Sequence, residues 1–121
     1  MREIKFRYWD GKHFQYYGWV EEFGRHYFTG IPVGLGASLD DIFKGTEQYT
    51  GLRDKNGVEI YEGDVLHYDE KEYAYNNPVF WNESLAGFFV GTEGDCSALG
   101  YETWGVVIGN IHETPELIGG K

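Results

Sequence analysis

From Ile4 onward, apolar and polar residues alternate: Ile4, Phe6 and Tyr8 are interleaved with Lys5 and Arg7, the period-two pattern of a half-buried strand. Asp10-Gly11 marks a type I′ turn, and residues 13–17 return as the partner strand. Residues 19–23 and 25–29 read as a second hairpin about Gly24. After the connector Ile31-Pro32-Val33-Gly34-Leu35-Gly36, Ser38 stands as a helix N-cap. Asp40 and Asp41 follow in the first turn, where carboxylates favour the helix dipole. Leu39, Ile42 and Phe43 give this short helix an apolar face, and Gly45 is its stop.

The strongest architectural signal lies in residues 48–66. Asp54-Lys55-Asn56-Gly57 and Glu62-Gly63-Asp64 are turns set between apolar or aromatic runs, and Asn-Gly tolerates positive φ at both positions. Residues 49–52 and 58–61 are expected to fold back on each other, with 65–68 a third strand. Tyr49, Leu52, Ile60 and Val65 are the expected core. Residues 69–77 are polar and read as an exposed loop. Residues 79–81 and 87–90 read as strands joined by 82–86, and 91–100 as a second loop. Residues 103–111 form the last strand region, interrupted at Gly105 and Gly109. Thr114-Pro115-Glu116-Leu117-Ile118 reads as a terminal helical turn, with Pro at its tolerated first position. Roughly eight to ten short strands with closely spaced turns predict a mainly β chain. The expected form is a small barrel or sandwich of short antiparallel strands, with an N-terminal β-hairpin and one short helix.

Composition supports this reading. Eighteen glycines, 8 Phe, 10 Tyr and 4 Trp beside a single Met suggest tight turns and a core filled by rings. At 121 residues one domain is expected, with 1–47 holding the hairpin region and helix and 48–121 a barrel-like region. Cys96 is the only cysteine, so no internal disulfide forms. No apolar run suits a signal peptide or a membrane span, and the expected location is the cytoplasm. Charge is uneven. Residues 1–56 carry 8 acidic and 8 basic side chains, whereas 57–121 carry 12 acidic and 2 basic (Lys71 and Lys121), so the whole net charge of −10 falls in the back half. Such a field repels phosphate backbones and anionic bilayers, which disfavours nucleic acid and membrane as partners.

Four segments occur in a telling order. They are Arg2-Glu3-Ile4-Lys5-Phe6-Arg7-Tyr8-Trp9-Asp10, then Gln48-Tyr49-Thr50-Gly51-Leu52, then Asp54-Lys55-Asn56-Gly57 with Ile60-Tyr61-Glu62-Gly63-Asp64, and last Ile108-Gly109-Asn110-Ile111-His112-Glu113 with Pro115-Glu116-Leu117. Together they resemble the YopX family of phage and prophage proteins. The resemblance spans both ends of the chain and is weaker over 13–47 and 69–104. It implies an SH3-type small barrel and a bacterial host cell. It carries no settled activity, catalytic residue or cofactor.

Candidate chemistry is sparse. His13, His26, His67 and His112 lack metal-ligand spacing. Cys96 stands near Glu93 and Asp95, whose charges oppose thiolate formation. Gly34-Leu35-Gly36 lacks the phosphate-loop fingerprint, and Asp40 and Asp41 occupy the helix start where a phosphate would sit. No cofactor or metal is expected. Numerous carboxylates keep one enzymatic reading open, a carboxylate-dependent hydrolase, although no pair is singled out.

The aromatics Tyr8, Trp9, Tyr16, Tyr17, Trp19, Tyr27 and Phe28 are mostly core. Trp9, Tyr17 and Trp19 are expected on the face opposite Ile4, Phe6 and Tyr8, and so to be the better contact residues. With the acidic Asp69, Glu70 and Glu72 they make the expected interaction surface. The leading expectation is therefore a non-enzymatic module that binds a host or phage protein. A narrower version has the acidic half mimic nucleic acid toward a basic host protein. Binding of single strands through Arg2, Lys5, Arg7 and Lys12 is a third reading. Unpaired strand edges leave a homo-oligomer open.

Overall fold

The computed structural model describes residues 4–22, 24–31, 36, 38–69, 74–92, 94–101 and 105–119. The chain divides into two compact units, Met1–Gly51 and Leu52–Lys121.

In the first unit β1 (Ile4–Trp9), β2 (Phe14–Glu22), β3 (Arg25–Thr29) and the start of β4 (Thr46–Arg53) lie in the order β3-β2-β1-β4. Strand β2 is longer than either half-hairpin expected, because one strand serves both: it pairs with β1 along one edge and β3 along the other. The β1–β2 connection is also longer than a two-residue turn, spanning residues 10–13. Asp10 organises it. Its Oδ1 accepts from the amides of His13 (2.9 Å) and Lys12 (2.8 Å), and its Oδ2 accepts from Gln15 Nε2 (2.9 Å). The His13 amide first, then Gln15, hold this carboxyl well below the ordinary carboxylate range. A depressed folded pKa stabilises at pH above the ordinary value and is lost as pH falls through the folded one. Carboxyl NMR should therefore show Asp10 still ionised where unperturbed carboxylates have protonated. A midpoint at the ordinary 3.8 would contradict the turn's hydrogen bonding.

The register corrects the expected faces. Phe6 lies opposite Tyr17, Ile4 opposite Trp19, and Trp19 opposite Phe28. Residues directly across an antiparallel pair share a face. Tyr17 and Trp19 therefore join Ile4, Phe6 and Tyr8, and only Trp9 lies on the other side with Arg7, Phe14 and Tyr16. Helix α1 (Leu39–Lys44) packs on the Phe6 face, burying Ile42 and bringing the Phe43 ring 5.5 Å from Phe28. Ser38 and Asp41 close a capping box. Gly45 ends the helix at φ −91, so no left-handed cap is used. A Cβ there would meet the Tyr8 ring at 3.0 Å, and close packing is the reason for glycine. On the opposite face, buried Arg7 donates from Nε to Glu47 (2.8 Å) and stacks 4.1 Å above the Phe14 ring.

In the second unit β5 (Glu59–Tyr61) follows the Asp54–Gly57 turn. Strands β6 (Asp64–Asp69), β7 (Ala74–Asn82), β8 (Gly87–Thr92), β9 (Asp95–Ala98) and β10 (Val106–Asn110) form a sheet in the order β10-β6-β7-β8-β9. Every pairing in that sheet is antiparallel. Ile60, Leu66, Tyr68, Val79, Val90 and Leu99 make the core, with Leu52, Phe88 and Val107 packed against it. Of the expected core residues, Ile60 and Val65 are fully buried, Leu52 partly so, and Tyr49 is buried in the first unit. A 3-10 turn, Leu99–Tyr101, and helix α2 (Glu116–Gly119) complete the unit. The expected terminal turn over 114–118 is present as a helix displaced to Glu116–Gly119, with Pro115 just before it and not in its first position.

Two segments read as loops contain strands. Residues 74–77 belong to β7, where Asn76 pairs with His67 and bonds its Nδ1 at 2.7 Å. Residues 95–98 form β9, with Cys96 opposite Gly91. In both, a neighbouring strand supplies what polar local sequence conceals. The architecture is mainly β, in two open antiparallel sheets. Among the described residues the strands close no barrel.

Candidate interaction site

The sequence-predicted contact residues do not come together. Trp9 is half-buried, its ring edge-on to Phe14 at 5.0 Å. Tyr17 is only 6% exposed. Its phenol hydrogen-bonds Thr46 Oγ1, which itself donates to the Ile42 carbonyl, and burial raises its pKa. Trp19 is half-buried, 4.8 Å from Phe28 on the face opposite Trp9. Asp69 is exposed at the end of β6, while Glu70 and Glu72 lie outside the described residues.

A different surface collects groups suited to contact. Strands β7 and β8 pair Val79 with Val90, Phe80 with Phe89, and Trp81 with Phe88. Val79 and Val90 face the core, which sets Trp81 and Phe88 on that same face and Phe80 and Phe89 on the other. Near its end, β7 is therefore apolar on both faces, and one core cannot cover both. Trp81 remains 45% exposed although its ring meets Phe88 edge-on at 5.1 Å.

The hairpin beyond is closed by its own hydrogen bonds. Asn82 Oδ1 accepts from the Leu85 amide (3.1 Å), and the Ala86 amide donates to the Glu83 carbonyl (3.3 Å). Ala86 takes φ 52, a left-handed conformation that costs about 1 kcal/mol for a residue with a Cβ. This turn holds Leu85 out at 62% exposure. Pro78, Phe80, Trp81, Asn82, Glu83, Ser84, Leu85 and Gly91 line an open groove of about 770 Å³. That volume falls within the usual range for ligand sites. Among the described residues its lining holds one carboxylate, Glu83, and no basic side chain.

No group of three or more potential metal ligands converges among the described residues. No described helix is long and apolar enough to cross a membrane.

The YopX family profile matches residues 5–119, through both units and the groove. The chain belongs to the YopX family. This YopX protein is also similar to a solved structure, protein EF1440 from Enterococcus faecalis, at 26% identity and a TM-score of 0.56, over 95% of this chain and 97% of that one. No functionally curated protein matches it.

The groove was missed in the sequence because Val79-Phe80-Trp81 reads simply as a strand. The available signal was apolar residues on both faces of a strand beside Leu85 in a polar turn.

Proposed function

We propose that this YopX protein is a non-enzymatic protein-interaction module that presents the β7–β8 groove to a partner. The supporting observation is the hydrogen-bonded hairpin that holds Trp81 and Leu85 exposed beside Pro78 and Phe80. Exposed aromatics in preformed concavities are the usual anchors of protein contacts. In this use the protein parallels SH3 domains, in which aromatic-lined grooves take extended peptides. The setting suggested by the family is a bacterial cytoplasm with phage or prophage genes expressed. A hydrolase reading draws no support from the groove, since glycoside-type hydrolysis uses two carboxylates and, among the described residues, Glu83 alone of the carboxylates lines it.

The test is affinity capture of the tagged protein from bacterial lysate, comparing wild type with Leu85→Ser. Leu85 is exposed, so its replacement should leave melting within about 2 °C. A specific partner should be retained by wild type and lost about tenfold in the variant. Equal recovery by both proteins would remove the groove from the proposal.

A further inference from the structure

We infer that the groove takes an extended protein segment in which Arg or Lys alternates with apolar residues. This rests on the reading of the groove as an interaction site and names the chemistry of its occupant. Three observations carry it.

First, Trp81 is among the residues lining the groove and is 45% exposed, and tryptophan is the strongest side-chain partner for a cation over a ring. Second, Glu83 lines the same groove, and among the described residues its carboxylate has no ion-pair partner. An arriving cation therefore displaces no existing salt bridge. Third, residues 57–121 carry 12 acidic and 2 basic side chains, a field that draws cationic segments in and repels acidic ones.

The remaining lining explains why a lone small cation is a poor match. Pro78, Phe80 and Leu85 are apolar, and a groove of about 770 Å³ is too large for one ammonium group. Aliphatic neighbours of the cation would cover these surfaces. The side chains of Asn82 and Ser84 can bond the backbone of the segment, and Gly91 leaves depth because it has no side chain. Nucleic acid lacks the required charge, since its phosphates would face Glu83 and the acidic half.

The test is a titration of the full chain with three labelled ten-residue peptides: alternating Leu–Arg, alternating Leu–Glu, and Ser–Arg. Tetramethylammonium and a single-stranded oligonucleotide serve as further arms. Binding is followed by fluorescence anisotropy and by the indole NMR signal of Trp81. The Leu–Arg peptide should shift that signal and bind about tenfold more tightly than any other arm. Trp81→Leu, which keeps apolar bulk and removes the ring, should weaken it about tenfold. Glu83→Gln should weaken it about threefold and flatten its salt dependence.

Undiminished Leu–Arg binding by both variants would overturn the inference, as would Ser–Arg, tetramethylammonium or oligonucleotide binding equally well. If Leu–Glu moved the Trp81 signal as strongly as Leu–Arg, the groove would remain an interaction site and the cationic occupant would be wrong. If no peptide moved it, the interaction reading itself would fail with the inference.

Discussion

Replacing Asp54 with alanine is expected to destabilise the second unit by about 3 kcal/mol, measured by urea unfolding. This buried carboxylate accepts three backbone amides. Oδ1 takes Asn56 and Val58, each at 2.8 Å, and Oδ2 takes Val107 at 2.9 Å. The first two close the turn between β4 and β5, and the third ties that turn to β10. Alanine leaves three N–H groups without an acceptor, each costing about 1 kcal/mol where water has partial access. Asp54→Asn separates the two functions of the side chain. Its oxygen can keep the turn amides, but its NH₂ then meets the Val107 amide donor to donor, so about half the loss is expected. A change below about 0.5 kcal/mol for Asp54→Ala would show that the turn does not depend on its aspartate.

The second large effect is expected at Gly109. A Cβ there would overlap Thr114 Oγ1 and lie 3.0 Å from Leu117 Cδ1. Thr114 cannot turn aside without loss. Its Oγ1 accepts from the Asn110 amide (3.0 Å) and donates to the Asn110 carbonyl (3.1 Å). Asn110 in turn caps the following bend, accepting from the amides of His112 (3.0 Å) and Glu113 (2.9 Å). Gly109→Ala should therefore push α2 from β10 and cost about 3 kcal/mol. Thr114→Ala alone removes those two bonds but also the obstructing oxygen. The double variant should accordingly be more stable than the sum of the two losses by at least about 1 kcal/mol. Strict additivity would mean that Gly109 and Thr114 do not meet as described.

These two positions show which parts of the fold could be read from the chain. Asp54-Lys55-Asn56-Gly57 is a local device, and its aspartate, asparagine and glycine announce the turn without help. The same holds for Ser38 and Asp41, whose capping box closes within four residues. Gly109 was legible only as an interruption, because Thr114 and Leu117 give it meaning from beyond the strand. The faces of β2 were misread for a related reason. Sequence alternation shows which residues of one strand share a side, but the four-residue β1–β2 connection decides which sides of two strands agree. Strand β9 and the start of β7 were hidden because Asp95, Ser97, Asn76 and Asn77 have little strand preference and are held by partners.

The candidate site was less legible than the fold. Aromatic surplus was sought in the N-terminal hairpin, where most rings pack on one another. Tyr16, Phe28 and Phe43 are exposed in that first unit too, but the exposed ring that stands beside a groove is Trp81, where β7 runs past its core. Nothing in Phe80-Trp81 says locally that Trp81 is left 45% exposed; that follows from where β7 ends and the 83–86 turn begins.

The most direct test of the groove as the contact surface is hydroxyl-radical footprinting of the protein with and without its captured partner. Phe80, Trp81 and Leu85 should be protected, while Tyr16, exposed at 58% in the first unit, should be labelled equally in both samples. Protection of Tyr16 with unchanged labelling of Trp81 and Leu85 would contradict the account.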